Sequence, residues 1–92
     1  MIQNLNESFI KEKKVKLLLS LIKPTNNLKT VTYMAKDSDC IFAHAVKVVI
    51  NFEKIGLVVC RKEGRKKFVE LTEKGKKVAE YLIKLIELEN SQ

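Results

Sequence analysis

The chain has few of the residues on which small-site chemistry depends. It carries one histidine, two cysteines, three glycines and one proline in 92 residues. Cys40 and Cys60 lie 20 positions apart and form no C-x-x-C pair. With a single histidine beside them, no metal site is expected. Their expected state is reduced and semi-buried. None of the glycines (Gly56, Gly64, Gly75) lies in a phosphate-cradling loop. Catalysis would need His44 as its base, and no motif brings a serine or cysteine nucleophile to it. The expectation is therefore a non-enzyme without a cofactor. No uninterrupted apolar run reaches the roughly 18 residues of a membrane span. The first residues, Met1 to Glu7, show no basic segment followed by an apolar one, so a cytoplasmic location is expected. No internal repeat or low-complexity linker is visible.

Hydrophobic residues make up 46% of the chain, enough for one core and too many for disorder. The length suits a single domain over residues 1–92. The net charge is +7, which points to a polyanionic partner, with nucleic acid the first candidate. The charge is unevenly spread. Residues 1–36 balance at +5, 37–56 at −1, 57–72 at +3, and 73–92 are neutral. The densest basic stretch is Arg61-Lys62-Glu63-Gly64-Arg65-Lys66-Lys67, which holds both arginines of the chain. Arginine is the better partner for phosphates and base edges.

Hydrophobic periodicity and turn residues divide the chain. A first helix is predicted from Asn6 or Ser8 to Lys23, stopped by Pro24. Val15, Leu18, Leu19 and Ile22 share one face of it, and Leu17 and Leu21 lie on an adjoining face. An apolar arc this wide suggests a helix wedged between its own domain and a partner subunit. Thr30 can cap a short helix from Val31 to about Lys36. A longer helix follows from Asp39 or Cys40 to Ile55, closed by Gly56. On it Ile41, Ala45, Val48, Val49 and Phe52 cluster on one side, with Ala43, Lys47, Ile50 and Lys54 opposite. His44 and Asn51 lie on one flank and Val46 on the other. After Gly56 the period changes: Leu57–Cys60 and Phe68–Leu71 read as two strands around a Gly-containing turn. Thr72 then caps a last helix to about Glu89, with Val78, Leu82, Leu85 and Ile86 in one stripe that Tyr81 and Leu88 extend. The fold class is α+β, mostly α: three helices, a two-stranded β wing and a C-terminal helix, the winged helix-turn-helix order. Its parts are a helix-turn-helix at about 30–55, a wing at about 57–71 and a dimerisation helix at about 73–89.

Phe52-Glu53-Lys54-Ile55-Gly56-Leu57-Val58, a charged hairpin, and then Leu71-Thr72-Glu73-Lys74-Gly75 resemble the signature of MarR-like and PadR-like winged-helix transcription regulators. Thr30-Val31-Thr32-Tyr33-Met34-Ala35 is similar to the second helix of those families. The chain departs from them at Asp39-Cys40-Ile41, where a Gly and then a Val-Ser are common, and at Ile41-Phe42-Ala43-His44, where small polar residues usually open the recognition helix. The resemblance implies a dimeric, double-stranded-DNA-binding regulator that reads the major groove with helix 40–55 and clamps phosphates with the wing.

The expected DNA contacts are Ala43, His44, Lys47 and Asn51 on the long helix, Lys29, Thr30 and Lys36 around the short one, and Arg61, Lys62, Arg65, Lys66 and Lys67 in the wing. Leu17, Leu21, Tyr81, Leu85 and Leu88 are expected at the homodimer interface. Two other uses of the same fold remain open: an architectural or partition protein with low sequence specificity, and a protein-protein interaction module.

Overall fold

The computed structural model describes residues 13–25 and 28–90. The elements in order are α1 (Lys13–Leu19), α2 (Val31–Asp37), α3 (Phe42–Lys54), β1 (Val58–Glu63), β2 (Lys66–Leu71) and α4 (Glu73–Asn90). This is the winged helix-turn-helix order, with α2 and α3 as the helix-turn-helix and β1–β2 as the wing. The expected start of the first helix at Asn6 or Ser8 lies outside the described residues. Its regular part ends at Leu19, before the expected Lys23. There the Ser20 hydroxyl donates to the Leu17 carbonyl at 2.6 Å. The Leu21 and Ile22 amides reach carbonyls only three residues back, at 3.1 and 3.2 Å. The chain thus tightens into a 3₁₀-type turn well ahead of Pro24.

The Thr30 hydroxyl caps α2 by accepting the Tyr33 amide at 3.1 Å. The turn into α3 passes through Asp39 in the left-handed region, at φ +52°. Aspartate tolerates this conformation better than most side chains, which is why the turn works without glycine. Lys13 fastens it from outside, its ammonium donating to the Ser38 and Asp39 carbonyls at 3.1 and 2.6 Å.

The end of α3 is closed by its backbone. The Gly56 amide bonds the Glu53 carbonyl at 3.2 Å and the Leu57 amide bonds the Phe52 carbonyl at 2.8 Å. Gly56 sits at φ +84°. Together these form a Schellman motif, in which Leu57 and Phe52 are both buried. The start of α4 locks onto this corner. The Thr72 amide donates to the Leu57 carbonyl at 3.0 Å, and its hydroxyl donates to the Gly56 carbonyl at 2.6 Å. The same hydroxyl accepts the Gly75 amide at 3.0 Å, which caps α4. Lys74 covers the Ile55 carbonyl at 2.8 Å. Gly75 presses so closely on β1's entry that an added Cβ would stand 2.0 Å from the Leu57 oxygen.

β1 and β2 pair antiparallel from Val58↔Leu71 to Glu63↔Lys66, leaving Gly64-Arg65 as a two-residue turn. Only Gly64 of these two has a positive φ, +61°, the type II′ pattern. The strands are longer than expected, so Arg61, Lys62, Lys66 and Lys67 belong to the ladder itself and Arg65 to its turn. The residues ahead of α2 lie along the free edge of β2. Thr30 forms an isolated bridge with Phe68, and the Val69 amide donates to the Lys29 carbonyl at 2.9 Å.

The core is formed by Leu17, Leu18 and Leu21 of the α1 segment, Val31, Met34 and Ala35 of α2, Ala45, Val49 and Phe52 of α3, and Leu57, Val58 and Val69 of the wing base. This corrects two interface residues. Leu17 is 0% and Leu21 6% exposed, so neither is available to a partner subunit. The wide arc of α1 is covered from within, by elements on more than one side. A helical wheel does not distinguish that arrangement from an intersubunit face.

Gly75→Ala should lower the unfolding free energy by more than about 3 kcal/mol, because the opposing atoms are backbone and cannot yield. Gly64→Ala has open space around it but a left-handed φ, and should cost about 1 kcal/mol. Urea unfolding of the two variants checks the order, and the reverse ranking would refute the close-contact account.

Candidate nucleic-acid interface

The burial pattern of α3 shows which of its faces is free. Ala45, Val49 and Phe52 point into the core, while Ala43, Lys47, Ile50 and Lys54 face outward. On one flank His44, Lys47 and Asn51 share a shallow depression with Lys13 and Lys14 of α1. On the other, Phe42 and Val46 line a groove with Thr30 and Thr32 of α2 and with Arg65, Lys66 and Lys67 of the wing. Both edges of the exposed α3 face are thus bordered by lysine or arginine from other elements. The helix opens on Ile41, whose side chain supplies no cap and is 75% exposed, followed by Phe42 at 56%.

The register of the wing sorts its charges into two faces, because residues directly opposite in an antiparallel pair project to the same side. One face runs from Val58/Leu71 through Cys60/Val69 to Lys62/Lys67. Its base is core and its tip carries two lysines directly opposite each other. The other face holds Val59/Glu70, Arg61/Phe68 and Glu63/Lys66. There the charges cancel. Arg61 pairs with Glu63 at 2.7 Å and Glu70 at 3.9 Å, and its guanidinium lies 5.1 Å from the Phe68 ring centroid. Like charges opposite each other destabilise a ladder, so Lys62/Lys67 is a cost that the other face avoids.

The expected contact residues therefore separate. Ala43, His44, Lys47 and Asn51 are all exposed on α3, and Lys62, Arg65 and Lys66 on the wing, with Lys67 half-buried. Arg61 is a correction: it is held by two carboxylates and an aromatic ring on the opposite face of the hairpin. Lys29 is another. It is half-buried, and its ammonium donates to the Leu21 carbonyl, where it closes the α1 turn. The Thr30 hydroxyl serves the α2 cap. Lys36 lies on the exposed side of α2 in a depression that adjoins the α3–wing groove through Thr30 and Thr32. The sequence reading missed Lys13, Lys14 and Thr32, although the first two belong to the strongly positive N-terminal block.

Cys60 lies on the face of β1 that packs toward α3. Burial, reinforced by the nearby Glu53 carboxylate, pushes its thiol pKa above the usual range and outweighs the opposing influence of Lys67. The thiol is protonated at neutral pH and is a poor nucleophile there. Among the described residues, no helix is long and apolar enough to cross a membrane.

Comparison with known proteins places this architecture. No known family profile matches the chain. An uncharacterized protein of Archaeoglobus fulgidus is 28% identical over 80 residues, covering 85% of this chain and 84% of that protein. A solved structure from Archaeoglobus fulgidus superposes with a TM-score of 0.83 at 26% identity, covering 89% of this chain and 92% of the other. A MarR family transcriptional regulator from Silicibacter pomeroyi gives a TM-score of 0.75 at 22% identity over 98% of this chain, which spans 66% of that protein's length. Sso10a-2, a DNA-binding protein from Sulfolobus solfataricus, gives 0.68 at 18% identity, covering 83% and 80% of the two chains. The fold is thus a winged helix-turn-helix resembling that of MarR family regulators.

Lys67→Glu places an opposite charge across from Lys62. It should raise stability by about 0.5 kcal/mol at low salt, a gain that shrinks as added salt screens the pair. Thermal unfolding at two ionic strengths checks this. A loss of stability in both would mean that the two lysines do not oppose each other.

Proposed function

We propose that the protein is a dimeric winged-helix protein that binds double-stranded DNA and regulates transcription, with α3 in the major groove and the wing along the adjacent backbone. The observation that carries this reading is the Lys62/Lys67 pair. These cations, without an ion-pair partner among the described residues, stand at the tip of the sheet face whose base packs on the helix-turn-helix, while the opposite face is neutralised by Glu63 and Glu70. A surface that only needed solubility would gain nothing from that asymmetry, whereas a phosphate backbone beside α3 offsets its cost. A helix about 10–12 Å across fits the major groove. Lys47 then stands where it can meet a phosphate or guanine, and Asn51 has the donor and acceptor that suit adenine. The fold shared with a transcriptional regulator and with a DNA-binding protein supports the same reading.

An exposed apolar stripe on α4 supports a second copy. Tyr81, Leu85 and Leu88 are 65%, 48% and 73% exposed and follow an i, i+4, i+7 spacing on one side of the helix. This apolar stripe lies to the side of the face that buries Gly75 and Ala79. A two-fold contact along it would present two α3 helices to one duplex.

Two measurements test the proposal. Fluorescence anisotropy on a random-sequence duplex should show binding at low salt, with log Kd linear in log salt. Neutralising Lys62 and Lys67 should flatten that slope by about one unit per lost phosphate contact. Absence of any DNA affinity at low salt would instead favour a protein-interaction module, and an unchanged slope would remove the wing from the interface. Sedimentation should give a dimer at micromolar concentration that Leu85→Asp with Leu88→Asp converts to a monomer, and a monomeric unmodified protein would overturn the α4 contact.

A further inference from the structure

We infer that α3 recognises the 5-methyl groups of thymine, so that the preferred site is a run of A·T pairs read in the major groove by apolar contact. The inference rests on the DNA-binding reading above and concerns what the helix touches once there. Phe42, Ala43, Val46, Lys47 and Ile50 occupy one arc of about 140° on the accessible side of α3. Lys47 is the only one of the five with a polar side chain. Phe42 and Ile50 are 56% and 41% exposed, and Ile41 just ahead of the helix is 75% exposed. Phe42, Ile50 and Ile41 are large enough to complete a core, yet the fold leaves them outward, while Val46 between them packs partly against the core; from Phe42 to Ile50 the patch runs about 12 Å along the helix. That is also about the width of the major groove.

Cations border the patch on both edges, with Arg65, Lys66 and Lys67 across the groove beside Phe42 and Val46, and Lys14 across the depression beside Lys47, where Lys13 also lies with its ammonium bonded to the Ser38 and Asp39 carbonyls. A strip of apolar side chains between two rows of positive charge matches a major groove, where base edges lie between two phosphate backbones. On those edges the one unmodified-base feature that welcomes an apolar side chain is the thymine methyl. Arginine, the usual reader of guanine, is absent from α3.

Duplexes of three kinds and equal length decide it, measured by anisotropy at one low salt concentration. The first alternates dA and dT, the second replaces every dT by dU, and the third is a G·C duplex prepared with cytosine and again with 5-methylcytosine. Removing the methyls should weaken binding about fourfold for each one buried, hence tenfold or more for several contacts. Methylating cytosine should strengthen binding to the G·C duplex. Phe42→Ala with Ile50→Ala, both at exposed positions, should bring the dT and dU affinities together while leaving the salt slope unchanged. Equal affinity of the unmodified protein for dT and dU duplexes would overturn methyl recognition and leave DNA binding intact. Absence of binding to all the duplexes would overturn the DNA reading, and this inference with it.

Discussion

The structure turns on one contact between backbones, that of Gly75 with the Leu57 carbonyl. At this corner α3 ends, the wing begins and α4 starts. The Schellman turn at Gly56 directs Leu57 into the core and leaves the Leu57 and Gly56 carbonyls to be met by Thr72. Thr72 answers both and caps α4 with the same hydroxyl. Any side chain at position 75 would force α4 away and break the set. The orientation of the wing relative to α3, on which the proposed DNA surface depends, is therefore governed by a residue that has no side chain and lies far from that surface.

The same corner explains why so much of the fold can be read from the chain. Thr30, Gly56, Gly64, Thr72 and Gly75 each act within a few residues of where they stand, through caps and turn geometries that leave local signatures. The helix order, the hairpin and the outward face of α3 follow from those signatures and from periodicity. What escapes is whatever depends on distant partners. The pairing of Lys29 and Thr30 with β2 has no local mark, because an edge of two residues shows no alternation. Ser20 shortened α1 by bonding its own turn, a competition that periodicity does not register.

The candidate site divides along the same line. The exposed residues of α3 were legible because an amphipathic helix has one free face. The wing was legible as a charge cluster but not as two unlike faces. Arg61 and Lys62 are neighbours in sequence, yet strand alternation sends one to Glu63, Glu70 and Phe68 and the other to Lys67. Likewise Lys29 carries the same charge as Lys47 but closes the turn after α1. Leu17 and Leu21 could not be told from interface residues, since a helix buried on two sides by its own chain has the same pattern as one buried by a partner.

The hydrogen bonds that join Lys29 and Thr30 to β2 have a mechanical consequence. They hold one edge of the hairpin to the start of α2, while the Leu57–Thr72 junction holds its base to α3 and α4. Both attachments lie in the half of the wing nearest the helices, and its tip from Lys62 to Lys67 extends beyond them. In the proposed complex, a duplex lying across α3 and the wing would meet a wing base whose spacing from α3 these bonds set. Part of the adjustment in that complex would then fall on the nucleic acid, where sequences whose steps bend or widen easily fit at the lower cost.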